Sequence, residues 1–302
     1  MTSAVKESKR DRIFLFCNYV YVFLAFLIVF YPLVYMVSAS ISDPKLVSSG
    51  EMWLLPKGIT FEGYERVFQD ASIWTGYGNT ILYTVVGTAV NLFVTLPAAY
   101  ALSRKDFVFR NFFMAMFMVT MFFSGGLVPT YLLVKELGMV NTMWAIILPS
   151  AATIYNIIVS RTFFQSSIPN ELQEASQIDG CTNTGLFIKI ILPLSMPIVA
   201  VMALFYGVGN WNSYFSALIY LNDADKYPLQ LVLRQILVLQ QMAAQGGGMM
   251  DAASASALNN KAEIAALVKY AVIIVASAPV IAIYPFLQRY FVQGVMIGSV
   301  KG

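Results

Sequence analysis

Six long apolar segments dominate the chain, and they restrict its fold more than any other feature. An α-helix needs about 20 mostly apolar residues to cross the roughly 30 Å hydrocarbon core of a bilayer. Its backbone groups must then be hydrogen-bonded within the helix, because lipid offers no partners. The sequence therefore predicts an all-α membrane protein with six transmembrane helices. The predicted spans are Ile13–Val37, Thr80–Leu102, Phe112–Val134, Trp144–Phe164, Leu194–Ile219 and Ala265–Leu287.

The third predicted span is the weakest, because Ser124, Gly125 and Gly126 interrupt its apolar run. We expect its outer part to be bent or re-entrant. The composition agrees with a membrane protein: only 12% of the residues are charged and the mean hydropathy is +0.68. Soluble domains have about 25% charged residues, so a soluble enzyme is excluded.

Basic residues near the ends of the spans predict the orientation in the membrane. Lys and Arg are enriched in cytoplasmic loops, and here they cluster before the first span, at Lys6, Lys9, Arg10 and Arg12, and after the second, at Arg104, Lys105 and Arg110. The sequence thus predicts a cell-membrane protein with both termini in the cytoplasm. The predicted division is a cytoplasmic tail 1–12, a first helix 13–37, an extracellular loop 38–79, a core 80–287 with a second extracellular loop at about 220–264, and a cytoplasmic tail 288–302.

Several kinds of chemistry are excluded by what the sequence lacks. It contains no histidine, so it has no histidine-based metal site, proton relay or nucleophile pair. It also contains no G-x-x-x-x-G-K-[ST] phosphate loop. The net charge of +3 is too small and too dispersed to indicate nucleic-acid binding. We expect no catalytic residue, metal site or cofactor in this chain.

A polar segment at about 165–192 lies between the fourth and fifth predicted spans and is much longer than an ordinary connection. Pro169 and Asn170 favour a helix start. Gly180 favours a helix end, because glycine readily adopts the left-handed conformation found there. A second short helix is predicted from Thr182 to Ile191. Two short helices joined at a glycine form a compact projection, which suggests a docking surface for a soluble partner.

The same segment resembles the cytoplasmic EAA loop of the permease subunits of binding-protein-dependent ABC importers. The family pattern is Glu-Ala-Ala, then Asp-Gly, then Phe, Ile, Leu-Pro and a final Pro, and Ser176 replaces the second alanine. The resemblance implies that the segment is a coupling loop that contacts the ATPase subunits. The matching positions are Glu174, Ala175, Asp179, Gly180, Phe187, Ile190, Leu192, Pro193 and Pro197. The implied coupling residues are Glu171, Glu174, Ala175, Ser176, Asp179 and Gly180.

The resemblance extends along the whole chain and is firmest from Asn79 onward. Asn79-Thr80, the run Ala98–Arg104 and the tail Gly294–Gly298 are similar to the carbohydrate-uptake branch, as found in the oligosaccharide systems of Gram-positive bacteria. It implies transport of a sugar or oligosaccharide by alternating access, with no catalysis by this chain. It also implies four partners besides membrane lipid: a second permease, usually a different chain, an ATPase dimer that binds ATP and Mg²⁺, an extracellular solute-binding protein and the carbohydrate.

Polar and aromatic residues in the fourth and fifth spans are candidates for the substrate path. Polar groups at membrane depth must face protein or water, and an aromatic ring beside an amide suits sugar binding. Two other roles remain open: Trp and Tyr anchor helices at membrane interfaces, and Asn hydrogen-bonds neighbouring helices. The candidates are Tyr155, Asn156, Asn210, Trp211, Asn212 and Tyr214.

The second extracellular loop has two parts. Leu229–Met242 has the spacing of an amphipathic helix, whereas the following residues are small, polar and rich in glycine. The second part is either a tolerated insertion or a contact with the solute-binding protein. The candidates for this contact are Gly246, Gly247, Gly248, Met249 and Met250.

A second class of function is a self-powered secondary transporter or channel for a small polar solute. Such a protein needs carboxylates or an ion site within its spans. The predicted spans carry almost no charge, and Lys269 in the sixth is an exception. The sequence therefore favours an importer subunit powered by a separate ATPase.

Overall fold

The computed structural model describes residues 8–245, 265, 268–283 and 285, and these residues form helices and no β-strand. The predicted all-α class is confirmed for this part of the chain. The α-helices are α1 Lys9–Ser40, α2 Pro44–Ser48, α3 Glu62–Gln69, α4 Ala71–Ser103, α5 Arg110–Phe122, α6 Leu127–Glu136, α7 Trp144–Ile147, α8 Ile154–Ser167, α9 Asn170–Ile178, α10 Asn183–Leu186, α11 Leu192–Leu194, α12 Met196–Trp211, α13 Tyr214–Tyr220, α14 Leu229–Gln245 and α15 Val268–Ile283. Two 3₁₀ turns, Leu148–Ser150 and Ala224–Lys226, and one π-helical turn, Phe187–Ile191, complete them.

Two compact units divide the chain. Of the described residues, the first unit takes 8–69 and those between 236 and 275, and the second takes 70–235 and those from 276 onward. In the first unit, α1 begins with a reciprocal capping box between Ser8 and Asp11 and continues as one apolar helix through the predicted first span. The segment after α1 is folded by local bonds, such as that from the Tyr64 hydroxyl to Ser40 Oγ at 2.9 Å.

The second unit is built around α4, which packs mainly against α12 and α8. Its buried positions recur every three or four residues, from Ile73 through Gly87 and Thr95 to Leu102, as expected for one face of a helix. The approach to α12 is close at Gly87, where an added Cβ would lie 2.8 Å from Asn210 Nδ2. The helix begins at Ala71 rather than at Thr80, so its first two turns lie in the segment expected to be a loop.

Three of the predicted spans are bent or broken. The third consists of α5 and α6, which meet at 112° on either side of the Ser124–Gly126 interruption, as predicted. The fourth also bends, by 51°, between the 3₁₀ turn at Leu148–Ser150 and α8. Pro149 lies in this turn and has no N–H to continue a helix.

The fifth predicted span, Leu194–Ile219, is not one continuous helix. The helical segment Asn183–Leu194 bends by 83° into α12, and α12 ends at Trp211. Two polar side chains compete for the backbone carbonyls at that end: Asn212 Nδ2 donates to Val208 O at 2.9 Å and Ser213 Oγ to Asn210 O at 2.6 Å. The prediction missed this break because the apolar composition continues beyond it.

By length and composition, two of the described helices, α1 and α4, are long and apolar enough to cross a membrane. The number rises to five if each bent pair counts as one span. The sixth predicted span corresponds to α15, of which Val268–Ile283 is described. The count of six therefore stays a prediction.

Candidate functional site

The C-terminal end of α4 is held by three side chains from two other segments. The last carbonyls of a helix have no partner within it, and three carbonyls at this end accept bonds from side chains. Arg161 Nε donates to Leu102 O at 2.9 Å, Gln165 Nε2 to Ser103 O at 3.5 Å and Arg110 Nη1 to Arg104 O at 3.5 Å. The end of α4 is thus tied to α8 and to the start of α5.

Arg104, the residue that follows α4, is buried and joins two parts of the chain. Its Nε donates to Asp106 Oδ1 at 2.8 Å, and its Nη1 donates to Tyr100 Oη at 3.2 Å and to Asn183 Oδ1 at 3.0 Å. The hydrogen-bonded carboxylate of Asp106 raises the pKa of Arg104, while the same bond lowers the pKa of Asp106. Both groups therefore remain charged at neutral pH, and the bond to Asn183 is charge-assisted.

The 165–192 segment folds as two helices about a glycine. The first, α9, ends at Ile178, and Gly180 follows with φ +69°. Cys181 N donates to Ser176 O at 2.9 Å, a bond that closes a left-handed helix end of the Schellman type. The predicted glycine turn is confirmed. The second predicted helix, Thr182–Ile191, is α10 with Thr182 as its N-cap, continued by the π-helical turn.

The second half of this segment is anchored in the core of the unit. Leu186 and Ile191 are each 1% exposed and pack in one cluster with Tyr100 and Phe164. Phe187 stacks on Tyr100 with ring centroids 5.1 Å apart. Together with the bond from Arg104 to Asn183, these contacts connect the segment directly to α4.

The first half, α9, presents an exposed face instead. Five of the six predicted coupling residues lie at the surface, and Ser176 is the exception at 5% exposed, with its Oγ donating to Gln173 O at 2.8 Å. Ile178 is 87% exposed beside these acidic groups. Single exposed apolar side chains are common on protein surfaces, so the coupling roles of these residues stay predictions. The five surface residues are Glu171, Glu174, Ala175, Asp179 and Gly180.

The middle of α4 carries a buried polar network that the sequence analysis missed. Asn91 Nδ2 donates to Ser150 O at 2.7 Å and Ala151 O at 3.0 Å, two carbonyls at the bend of the fourth span. Asn210 Nδ2 donates to Asn91 Oδ1 at 3.0 Å. The network satisfies backbone groups that the bend leaves outside the helical pattern.

The six predicted substrate-path residues have different surroundings. Trp211 is 7% exposed and its Nε1 donates to Ala276 O at 3.1 Å. Asn156 is buried, whereas Tyr155, Asn212 and Tyr214 are exposed, and the Tyr214 ring contacts the Arg234 guanidinium at 5.9 Å. Asn210 thus bonds to a neighbouring helix, the alternative role named for asparagine above, and Trp211 also bonds to another helix. A role in the substrate path stays a prediction for all six residues.

The N-terminal half of α4 holds the segment that precedes α14. Thr80 Oγ1 accepts a 2.8 Å bond from Leu229 N, and Asn79 Nδ2 donates to Asp225 O at 2.7 Å. Tyr83 Oη donates to Lys226 O at 2.9 Å. The resemblance had singled out Asn79 and Thr80 without giving them a role. The helix predicted for Leu229–Met242 is confirmed as α14, whereas Gly246, Gly247, Gly248, Met249 and Met250 lie outside the described residues.

The long and broken apolar helices, the glycine-hinged projection and the buried polar network define an integral membrane transport subunit. The chain belongs to the family described as binding-protein-dependent transport system inner membrane components, whose profile matches residues 71–297. That match begins at Ala71, the first residue of α4. Members are permeases of ABC transporters, translocation subunits without catalytic activity. The chain is therefore an inner-membrane component of a transporter, and a secondary transporter or channel is set aside.

Two relatives and one solved structure cover almost the whole chain. Protein LplC of Bacillus subtilis is 41% identical over 98% of this chain and 97% of its own length. The polygalacturonan/rhamnogalacturonan transport system permease protein YtcP of Bacillus subtilis is 39% identical, over 97% of this chain and all of its own. A crystal structure of a bacterial ABC transporter involved in the import of the acidic polysaccharide alginate matches with a TM-score of 0.82 and 34% identity. That match covers 95% of this chain and 100% of the other.

Proposed function

We propose that this chain is the membrane-spanning permease subunit of an ATP-driven importer for an oligosaccharide delivered by an extracellular binding protein. The support for a carbohydrate comes from the relatives: one serves polygalacturonan and rhamnogalacturonan, and another, the permease protein AraQ of Halalkalibacterium halodurans, serves arabinooligosaccharides. The structural relative takes part in the import of alginate. All three substrates are polymers or oligomers of sugars.

The observation that carries the proposal is the two-sided build of the 165–192 segment. Its first half exposes Glu174 and Ile178 on a projecting helix, and its second half is fixed to α4 through Phe187 and Asn183. A push on the exposed face therefore reaches α4 through packed rings and a charge-assisted bond. A coupling loop needs such a connected set of contacts between its exposed face and the transmembrane helices. Coupling then works when these contacts switch between two discrete states.

In this assignment the 165–192 segment and both termini face the cytoplasm, where the ATPase dimer docks and binds ATP and Mg²⁺. The protein spans the membrane six times and pairs with a second permease of different sequence. The oligosaccharide passes between the two permeases, and the cavity opens to one side at a time. The exposed rings of Tyr155 and Tyr214 offer flat faces for stacking against a sugar.

Charge reversal at Glu174 tests the docking surface. Glu174→Lys places a cation where the ATPase is expected to present one, so the ATPase subunits should bind about tenfold more weakly or worse. The measurement is the amount of ATPase that co-purifies with the tagged permease pair, followed by hydrolysis stimulated by the loaded binding protein. Glu174→Gln removes the negative charge without adding repulsion. The amount of ATPase that co-purifies with it should lie between the amounts for the native protein and Glu174→Lys.

Glu65→Lys is the control for assembly, since Glu65 is also exposed but lies on α3, outside the proposed surface. It should leave co-purification of the ATPase unchanged. A complete complex with full stimulated hydrolysis in Glu174→Lys would remove this residue from the docking surface.

A further inference from the structure

A cavity of about 320 Å³ lies between the C-terminal end of α4, α8 and the first turn of α9. Its lining is strongly basic and contains no acidic side chain. Polar side chains and the aromatic residue Phe164 also line it. Its basic residues are Arg104, Lys105, Arg110 and Arg161, and its polar residues include Gln165 and Asn170.

The positive charge in this cavity is only partly neutralised. Asp106 forms an ion pair with Arg104. Among the described residues, no carboxylate forms an ion pair with Arg110 or Arg161. Each of these two guanidinium groups donates one bond to a carbonyl at the end of α4. An arginine has five N–H donors, so each retains several for another acceptor.

We propose that this cavity binds a phosphate group, and that its source is the headgroup of an anionic phospholipid. Two arginine forks with free N–H donors match the oxygens of a phosphate better than those of any neutral ligand. The first turn of α9 lines the same cavity at Asn170 and adds the positive end of a helix dipole. The bound phosphate would accept hydrogen bonds from both Arg110 and Arg161, and its single negative charge would offset part of their positive charge.

The place of the cavity favours a lipid over a free phosphate. Its lining residues lie at the C-terminal ends of α4 and α8, where the headgroups of a bilayer would meet these helices in the proposed membrane placement. A second cavity of about 870 Å³, lined mainly by apolar residues such as Leu92, Leu96 and Val199, shares Tyr100 and Arg104 with the first. An anionic phospholipid has both parts, an apolar chain and a charged phosphate, whereas free phosphate has only the second.

The test uses the complete transporter in nanodiscs of phosphatidylglycerol or of phosphatidylcholine, with retained lipids counted by native mass spectrometry. The native protein should keep phosphatidylglycerol after extraction. Replacing both Arg110 and Arg161 by Gln should lower its retention about tenfold, which corresponds to about 1.4 kcal/mol. Arg12→Gln, which removes an exposed guanidinium at the start of α1, should leave retention unchanged. The readout is lipid binding, so its result does not depend on whether the importer assignment holds.

Arg161 also supports the end of α4, so Arg110→Gln is tested alone as well. Its own bond to that end is long, at 3.5 Å, and its loss should leave the thermal midpoint in phosphatidylcholine unchanged while phosphatidylglycerol retention falls. If the native protein binds inorganic phosphate but not phosphatidylglycerol, the ligand is a free phosphate and the assignment to a lipid headgroup is wrong. Equal lipid retention in all variants would overturn the proposal. The proposal would also be overturned if the ATPase subunits dissociated from the Arg110→Gln transporter while the amount of bound lipid stayed the same. The occupant of the cavity would then be a carboxylate of the ATPase.

Discussion

The two ends of α4 are held in chemically different ways. At the N-terminal half, Asn79, Thr80 and Tyr83 bond to backbone atoms of residues 225–229. The C-terminal end also has main-chain carbonyls that accept bonds from α5 and α8. Its contacts with α10 and the π-helical turn, however, run between side chains: Arg104 with Asn183, and Tyr100 with Phe187. The N-terminal half thus holds its neighbouring segment by neutral side chains on main-chain partners, whereas the C-terminal end holds α10 and the π-helical turn by a buried cation and aromatic rings.

This difference separates a fixed end from an adjustable one. Bonds to the main chain hold a segment whatever its side chains are, and they break only when the backbone moves. Side-chain contacts can be exchanged, since a guanidinium offers five donors to alternative acceptors and a stacked ring can slide. The C-terminal end is therefore the better place to receive a push from a partner, and the N-terminal half is the better reference point for it.

The largest effect should come from changing the hinge on the adjustable side. Gly180 has φ +69°, a conformation that a β-branched residue strongly disfavours. Gly180→Val should misdirect α9 and abolish sugar uptake, while membrane insertion is retained. Uptake by cells, with the amount of inserted protein measured by immunoblot, gives the result.

Gly180→Asn is the matched control for this change. Asparagine tolerates the left-handed conformation better than other side chains, and apart from the two neighbours along the chain no atom lies within 4 Å of the position of an added Cβ. The Asn variant should keep most of its uptake. Equal uptake in the Val and native proteins would mean that the hinge does not transmit force.

A smaller effect is expected when the cation at the adjustable end is removed. Arg104→Gln eliminates the ion pair with Asp106 and the charge-assisted bond to Asn183. It should lower the free energy of unfolding by about 2 kcal/mol, since a hydrogen bond to a charged group contributes about 1.5–3 kcal/mol. Thermal unfolding in detergent measures the loss. Arg104→Lys keeps the positive charge but not the forked guanidinium. Its free energy of unfolding should lie between those of the native protein and Arg104→Gln. An unchanged unfolding midpoint in Arg104→Gln would show that stacking alone fixes the segment.

Substitutions in the N-terminal half of α4, the fixed side, should lower the stability of the protein but change little the coupling of ATP hydrolysis to transport. Thr80 is buried, and its hydroxyl accepts the bond from Leu229 N, an N–H at the start of α14 that has no helical partner. Thr80→Val leaves this donor unsatisfied and should cost about 1–2 kcal/mol of stability. The ratio of ATP hydrolysed to sugar imported should stay as in the native protein. Thr80→Ser keeps the hydroxyl and should restore the stability, and a changed ratio in Thr80→Val would contradict the assignment of this end as fixed.

The sequence predicted features that depend on one residue and its neighbours. The turn at Gly180 and the interruption at Gly125 and Gly126 follow from local backbone preferences, and both are present. The bend in the fourth span was not predicted, although Pro149 was the available signal. In the fifth, a pair of polar residues at Asn212 and Ser213 ends the helix within an apolar run.

Long-range polar contacts could not be predicted from spacing. Asn91 is the single amide of the predicted span Thr80–Leu102, and its partners are carbonyls that a bend elsewhere releases. Arg104 was assigned only to the basic side of the membrane, because nothing in its neighbourhood along the chain pointed to Asn183. The sequence therefore located the 165–192 segment but not its attachment to α4.

The smallest expected effect is the response of the ion pair between Arg104 and Asp106 to acid. It is also the most specific test of the C-terminal end of α4. Arg104 holds the pKa of Asp106 below its ordinary value, through the hydrogen bond between them. The stabilisation from this depressed pKa is fully present above the ordinary value of about 3.9 and is lost as the pH falls below it. Asp106 is about half exposed, so the contribution is at most about 1 kcal/mol. The difference in unfolding midpoint between the native protein and Asp106→Asn should be constant from pH 7 to pH 5 and shrink at lower pH. When Arg104 is replaced by Gln in both proteins, the effect of Asp106→Asn on the unfolding midpoint should be small and should not change with pH in this way. A native difference that grows in acid would show that the ion pair does not stabilise this end of α4.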